Sequence, residues 1–193
     1  MHVVFEITKD ADLLEQYFAL RAETFKRVLG LNQFNGDGEK SDHNNDIFIA
    51  RVGRQVIGGV RIVGCTPQQC LPLENHYDDF NQQLPQLHLR DYGYCQWMRL
   101  TLTRETPIPA KKLHADFFLA LALATNELGY RYGFCVSSKL HQRLYKQTFS
   151  RIGYRHSACA NVLVDNEKEF NDLEHLLYVT DLSPSYKSQL KSA

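Results

Sequence analysis

The segment LHADFFLALALATNEL, residues 113–128, constrains this chain more than any other. Read at helical spacing it is apolar nearly all round, and Gly129 follows it at once. A helix of that kind must be buried, and a sheet is the surface broad enough to cover it. Its longest uninterrupted apolar run, 117–124, falls well short of the ~20 residues that a membrane-spanning helix needs. The opening MHVVFEITKD has no basic region followed by an apolar run, so a cytoplasmic protein without a membrane span is expected.

The rest of the chain supplies the sheet. Residues 3–7 read as a strand, and Asp10 is a helix N-cap for a helix running to about Leu29 and closed by Gly30. Residues 47–52 and 55–63 read as strands joined by the two-residue turn Gly53-Arg54. Between 66 and 93 the chain is rich in Pro, Gln and Asp, which reads as a long excursion with a short helix around 76–83. A strand at 94–103 precedes the apolar helix. Then come a strand at 132–137, an amphipathic helix at 139–152 stopped by Gly153, and strands at 157–164 and 173–181. With 193 residues, 44% of them hydrophobic, this order predicts an α/β (α+β) fold in one domain, residues 1–182, with helices on both faces of a central sheet. The tail 183–193 has no apolar pattern and is expected to be loose.

Charge and cysteine usage exclude several functions. Lysine plus arginine and aspartate plus glutamate each total 22, so no long-range field of one sign draws in nucleic acid or an anionic membrane. The five cysteines (65, 70, 95, 135, 159) include no CxxC pair, and the eight histidines no HxxxH or HExxH pair, so reduced, mostly buried thiols and no metal are expected. Cys95 and Cys135 have no histidine clearly placed beside them and read as core residues. His114 and His141 fall at helix starts, with nothing in their spacing to single them out.

Within the first helix, Leu14, Phe18, Phe25 and Leu29 form the apolar stripe, and Arg21 falls on it. On the strand at 55–63, Arg61 shares a face with Ile57, Gly59 and Val63, and on the next, Arg99 shares one with Trp97 and Thr101. Buried arginines need anionic partners, since an unpaired buried charge costs several kcal/mol. Glu39 and Asp42, in the polar loop after the first helix, are the nearby candidates. Pairing with either lets Arg21 pin that loop over a cleft; the alternative is an arginine with a buried stem and a solvated head.

The succession of elements, together with the ending KLHQRLYKQTFSRIGY, resembles the GNAT acyltransferase superfamily, which implies a GNAT-like central mixed, mostly antiparallel sheet. A narrower resemblance covers the first two thirds. LRAETFKRVLG, the acidic loop with Asp37-Gly38-Glu39 and Asp42, IFIARVGRQVIGGVRIV and QWMRLTLT are similar to the autoinducer synthases that make acyl-homoserine lactones and to the N-acyl amino acid synthases. The matching positions are Arg21, Phe25, Glu39, Asp42, Arg61 and Arg99.

The resemblance implies an N-acyltransferase that moves an acyl group from a thioester, on acyl carrier protein or coenzyme A, to the amine of a small molecule such as an amino acid. It implies a catalytic set of Glu39, Asp42, Arg61 and Arg99, with Arg21, Phe25, Gln96 and Trp97 around the acceptor. The fold implies that the strand at 94–103 splays from that at 132–137, so that the backbone of Leu100, Thr101, Leu102 and Thr103 receives the pantetheine arm. Lys111 and Lys112 stand where a donor phosphate would be met.

Four departures narrow this reading. The segment 104–112 has no glycine, so the usual pyrophosphate loop is missing and an ordinary grip on coenzyme A is disfavoured. Phe149 stands where many GNAT enzymes place a tyrosine acid, with Tyr145 one turn earlier. Gln96 replaces the glutamate of autoinducer synthases, and Leu31-Asn32 stand in place of their tryptophan. N-acylation of an amino acid or another amine is therefore favoured over homoserine lactone as product. A conventional acetyl-coenzyme A N-acetyltransferase, or a GNAT-like ligand-binding module without catalysis, are the alternatives.

Overall fold

The computed structural model describes residues 2–32, 34, 40–66, 70–77, 79–103, 105–106, 108–159, 162 and 175–183. Its strands are β1 (Val3–Thr8), β2 (Asp46–Val52), β3 (Gln55–Gly64), β4 (Gly93–Leu102), β5 (Tyr130–Ser138), β6 (Arg155–Ala158) and β7 (His175–Asp181). Its α-helices are α1 (Ala11–Leu29), α2 (Lys40–His43), α3 (Phe80–Gln83), α4 (Ala110–Glu127) and α5 (Lys139–Arg151). The strands hydrogen-bond in the order β1-β2-β3-β4-β5-β7-β6, a mixed, mostly antiparallel seven-stranded sheet. Most of the tail, 184–193, lies outside the described residues. Two compact units divide the chain.

The first unit contains Met1–Val63 and Trp97–Phe117. In it β1, β2 and β3 form an antiparallel meander, with Val3 opposite Val52 and Ile47 opposite Arg61. The carboxylate of Asp10 opens α1 by accepting the amides of Asp12 and Leu13 at 3.0 and 3.2 Å. Gly30 closes it at φ 69, a left-handed conformation that glycine adopts without a Cβ clash. Leu13 and Tyr17 of α1 bury themselves against Ile47, Ile49 and Val56. On the opposite face of β2, Phe48 meets Phe117 of α4 edge-on at 5.3 Å, and Phe5 of β1 joins them at 6.3 Å.

The second unit contains Gly64–Gln96 and, among the described residues, 118–159, 162 and 175–183. Gly93–Gln96 of β4 runs parallel to β5, with Gln96 opposite Phe134. β7 pairs antiparallel with β5 on one side and β6 on the other. The excursion after β3 contains three short pieces where one helix was expected: 3₁₀ turns at Pro72–His76 and Pro85–Leu87 flank α3. A proline heads each 3₁₀ turn, where its fixed φ and missing N–H are tolerated. β6 begins two residues before the strand expected at 157–164 and ends at Ala158; residues 160–161 and 163–164 of that expectation lie outside the described residues.

The expectation for α4 needs a correction. Leu113, Phe117, Phe118, Leu121, Ala122 and Thr125 are buried, but Leu119 and Leu123 are 37% and 49% exposed. The helix buries one broad face and leaves leucines on the other. Apolar composition all round overstated its burial.

Candidate active site

The first unit answers why α1 spends a core position on a permanent charge. Arg21 is fully buried, and its two terminal nitrogens donate to the two carboxylate oxygens of Asp42 at 3.2 and 2.8 Å. Arg61, on β3, donates to the same Asp42 Oδ1 at 3.1 Å and reaches the sulfur of Met98 at 3.7 Å. The carboxylate is thus held by two guanidiniums from different elements, with its side chain 1% exposed. Charge-assisted bonds of this kind are strong in a low-dielectric interior, and losing one partner strands a buried charge. Asp42 lies on α2, so the contact holds that short helix to α1 and β3.

Aromatic rings surround the arginines. The guanidinium of Arg21 lies 4.9 Å from the ring centre of Phe18, 5.3 Å from Tyr17 and 5.9 Å from Phe34. Phe34 stacks on Phe25 at 5.0 Å, and the half-buried Arg99 lies over both rings, at 5.3 and 5.8 Å. Arg21, Phe25, Asp42, Arg61 and Arg99 therefore come together in one unit.

Arg99 has an unusual backbone, with φ 60 in the left-handed region that non-glycine residues seldom enter. The bonding of β3 to β4 accounts for it. Thr103 N–H donates to Ile57 C=O, and Cys65 N–H to Tyr94 C=O. Between these bonds β3 advances eight residues and β4 nine, so β4 carries one extra residue, a bulge. Such a conformation costs on the order of 1–3 kcal/mol and persists only where the surroundings hold it. Tyr17 is one holder: fully buried, it donates its hydroxyl to the Arg99 carbonyl at 2.9 Å. Burial pushes the Tyr17 phenol up to about 12, against the opposing pull of Arg21, so it stays protonated.

The sequence did not single out Tyr17, Phe34 or Met98. A signal for Tyr17 exists in the pair Gly58-Gly59 inside a strand, since glycine there marks a close approach. A Cβ on Gly59 would stand 2.7 Å from the Tyr17 ring. Phe34 is the one aromatic in the polar stretch NQFNGDGEK. Met98 lacked any comparable signal.

Other expected residues fall elsewhere. Glu39 lies outside the described residues. Gln96 belongs to the second unit, where its buried Oε1 accepts the Leu73 amide at 3.2 Å. Trp97 and Thr101 are buried, and Leu100, Leu102 and Thr103 half-buried. The N–H of Thr103 corrects one expectation: it is spent on Ile57, within the sheet, and is not exposed to receive pantetheine. Lys111 and Lys112 are exposed in the first turn of α4, and Lys112 pairs with Asp116.

Burial pushes the Cys95 thiol well up and that of Cys135 up to about 12, so neither supplies a thiolate near neutrality. Phe149 is buried in the second unit, and burial also raises the Tyr145 phenol. Among the described residues no group of three or more His, Cys, Asp or Glu is placed to hold a metal, and no helix is long and apolar enough to cross a membrane.

Comparison with known proteins gives this geometry its context. Several solved structures share the fold. The acyl-homoserine lactone synthase LasI superposes with a TM-score of 0.64 at 16% identity, covering 94% of this chain and 90% of that one. FeeM, an N-acyl amino acid synthase from uncultured soil microbes, gives 0.64 at 12% identity, covering 98% and 97%. An N-acetyltransferase from Staphylococcus aureus Mu50 gives 0.57 at 11% identity, covering 94% and 99%. No curated protein matches the chain significantly. Residues 16–162, well over half of the chain and inclusive of every arginine, ring and carboxylate of the cluster, match the family described as N-acyl amino acid synthase FeeM. The chain belongs to that family, acyltransferases that join an acyl group to an amino acid.

Proposed function

We propose that this enzyme takes a fatty acyl group from a carrier-protein thioester and places it on the α-amine of a free amino acid, with Arg99 receiving the acceptor's carboxylate. The observation that carries this reading is Arg99 itself: a half-buried guanidinium, fixed by a strained backbone and backed by two stacked rings. A planar guanidinium matches a carboxylate in a two-point contact, and fixing one end of the acceptor aims the other.

Asp42 is an anchor in this scheme. Its oxygens are occupied by Arg21 and Arg61, so it serves to hold α2 and not to accept a proton. Glu39, three residues earlier in the sequence, is the carboxylate left to deprotonate the acceptor ammonium. The freed amine attacks the thioester carbonyl, the new C–N bond forms as the C–S bond breaks, and the departing thiolate takes up the proton the amine lost. The backbone of Leu100, Thr101 and Leu102 is the part of β4 assigned to the pantetheine arm, with Lys111 meeting a donor phosphate.

The test is to supply the purified enzyme with acyl-carrier protein or acyl-coenzyme A and single amino acids, and to identify products by mass spectrometry. An N-acyl amino acid is expected, with free amino acids preferred over their carboxamides by about tenfold in kcat/KM and that preference lost in Arg99→Gln. Failure of every thioester to acylate an amino acid overturns the reading.

A further inference from the structure

Cys95, Cys135 and Cys159 are buried, whereas Cys65 is half-buried and Cys70 exposed. Those two lie five residues apart at the entry to the excursion after β3, both within the second unit.

One carboxylate gathers them. Glu74, in the 3₁₀ turn Pro72–His76, accepts the Tyr94 hydroxyl on Oε1 at 2.8 Å and the Leu71 amide on Oε2 at 2.6 Å. The Cys65 thiol is hydrogen-bonded to the same Tyr94 hydroxyl and to Glu74. Leu71 follows Cys70 directly, so both cysteines are drawn to one side chain. Their backbones are fixed from either side. Cys65 N–H donates to Tyr94 C=O at 3.0 Å, while Leu71 is fully buried and held extended ahead of Pro72, at φ −67 and ψ 146. A bridge between the two closes a short loop, for which the entropic cost is small.

Access and proton affinity give the two thiols different roles. Burial raises the Cys65 thiol, against the opposing bond from Tyr94, so the exposed Cys70 is the one to meet a reagent from solution. Glu74, already bonded to the Cys65 thiol, stands where that proton would go.

We infer that Cys65 and Cys70 are a redox-active dithiol, closed to a disulfide by exchange with a small disulfide such as oxidised glutathione and reopened by a dithiol reductant. In the first step the Cys70 thiolate attacks one sulfur of the oxidant. The new S–S bond forms as the oxidant's own breaks, and the released thiolate takes up the proton that Cys70 lost. In the second step Cys65 gives its proton to Glu74 as its sulfur attacks that of Cys70, and the second small thiol leaves with that proton. Two protein thiols and one small disulfide become one protein disulfide and two small thiols, so the protein is oxidised and the small disulfide reduced. No acyl group takes part, and the pair is independent of the reaction proposed above.

The test incubates the full-length protein with oxidised glutathione, alkylates the remaining free thiols and measures intact and peptide masses. Trypsin releases residues 62–90 as one peptide, in which Cys65 and Cys70 are the only cysteines. That peptide should become lighter by two hydrogens without gaining glutathione, and dithiothreitol should reverse the change. Cys65→Ser should stop at a glutathione adduct on Cys70. Cys70→Ser should react at least about tenfold more slowly than the parent, because its remaining thiol is half-buried. Glu74→Gln keeps an acceptor for the Leu71 amide but no base. It should form the adduct on Cys70 at the parent's rate and close it at least about tenfold more slowly. Stable glutathione adducts on both cysteines, a bridge from either to another cysteine, or no oxidation at any ratio of oxidised to reduced glutathione overturns the pairing. Closure at the parent's rate in Glu74→Gln, with its fold intact by circular dichroism, overturns the role given to the carboxylate.

Discussion

The two units bury cation-forming side chains in opposite ways. In the first, Arg21 and Arg61 are at most 3% exposed and share Asp42. In the second, His156 is 4% exposed, stacked between Phe149 at 5.2 Å and Tyr178 at 5.6 Å, with Nδ1 hydrogen-bonded to Thr180 at 2.9 Å. Among the described residues no carboxylate attends it there, and Nε2 has no hydrogen-bond partner. The difference follows from proton affinity. A guanidinium does not deprotonate in a protein, so burying it demands an anion, whereas an imidazole sheds its proton and needs only a neutral partner. Burial, helped by Lys146, accordingly lowers His156 to about 4.

The sharpest break of this contrast is Asp42→Asn, which leaves two buried guanidiniums without their shared anion. Unfolding free energy measured in urea should fall by about 3–5 kcal/mol. The triple variant R21M/D42L/R61M should recover most of that loss but not acyl transfer. Full activity in the triple variant would reduce the cluster to packing.

The histidine gives the next effect, read through pH. Its folded pKa lies below the unfolded value of about 6.5, so between about 6.5 and about 4 the unfolded chain binds the extra proton. Its contribution is therefore full above the unfolded pKa and lost as pH falls through that window, on the order of 3 kcal/mol in all. Urea unfolding of the parent and of His156→Phe across the window isolates it: the parent's stability should drop more steeply with acid. Parallel curves would show that the buried imidazole is not the group responsible.

Local signals in the sequence carried much of the fold. Asp10 and Gly30 bounded α1, the turn Gly53-Arg54 set the β2–β3 hairpin, and the arginine on an apolar stripe pointed to a carboxylate in the following loop. Features that depend on residues far apart in the chain were not legible. The bond from Tyr17 to the Arg99 carbonyl crosses 82 positions, and the bulge at Arg99 arises only from the pairing of two strands. Gln96 was read beside a substrate, yet its amide is engaged by Leu73 in a turn whose position no local pattern gives. On α4, composition could not say which leucines face water.

Tyr17 can be displaced without touching a charge. In Gly59→Ala the new methyl carbon would meet the Tyr17 ring at 2.7 Å and the Phe48 carbonyl at 3.0 Å, neither free to retreat far in a packed core. A loss of about 1–3 kcal/mol in urea unfolding is expected, with weaker acyl transfer because the ring also holds the Arg99 carbonyl. Unchanged activity at reduced stability would separate the Tyr17 contact from the reaction.

Arg99 shows a third way to keep a cation, half in water and against aromatic rings, with strain in its own backbone. Because the strain and the guanidinium belong to one residue, Arg99→Gly separates them. Glycine adopts φ 60 freely, which favours the folded state by up to about 1 kcal/mol, although glycine's greater freedom in the unfolded chain and the lost ring contacts offset part of that. A stability change within about 1 kcal/mol either way is expected, in contrast to the large loss at Asp42. The amino acid acceptor should lose its anchor, so its KM should rise far more than that of the acyl donor. A variant that lost stability on the Asp42 scale would place Arg99 among the structural charges, whereas intact stability with a weakened acceptor KM assigns the strain to holding a binding group.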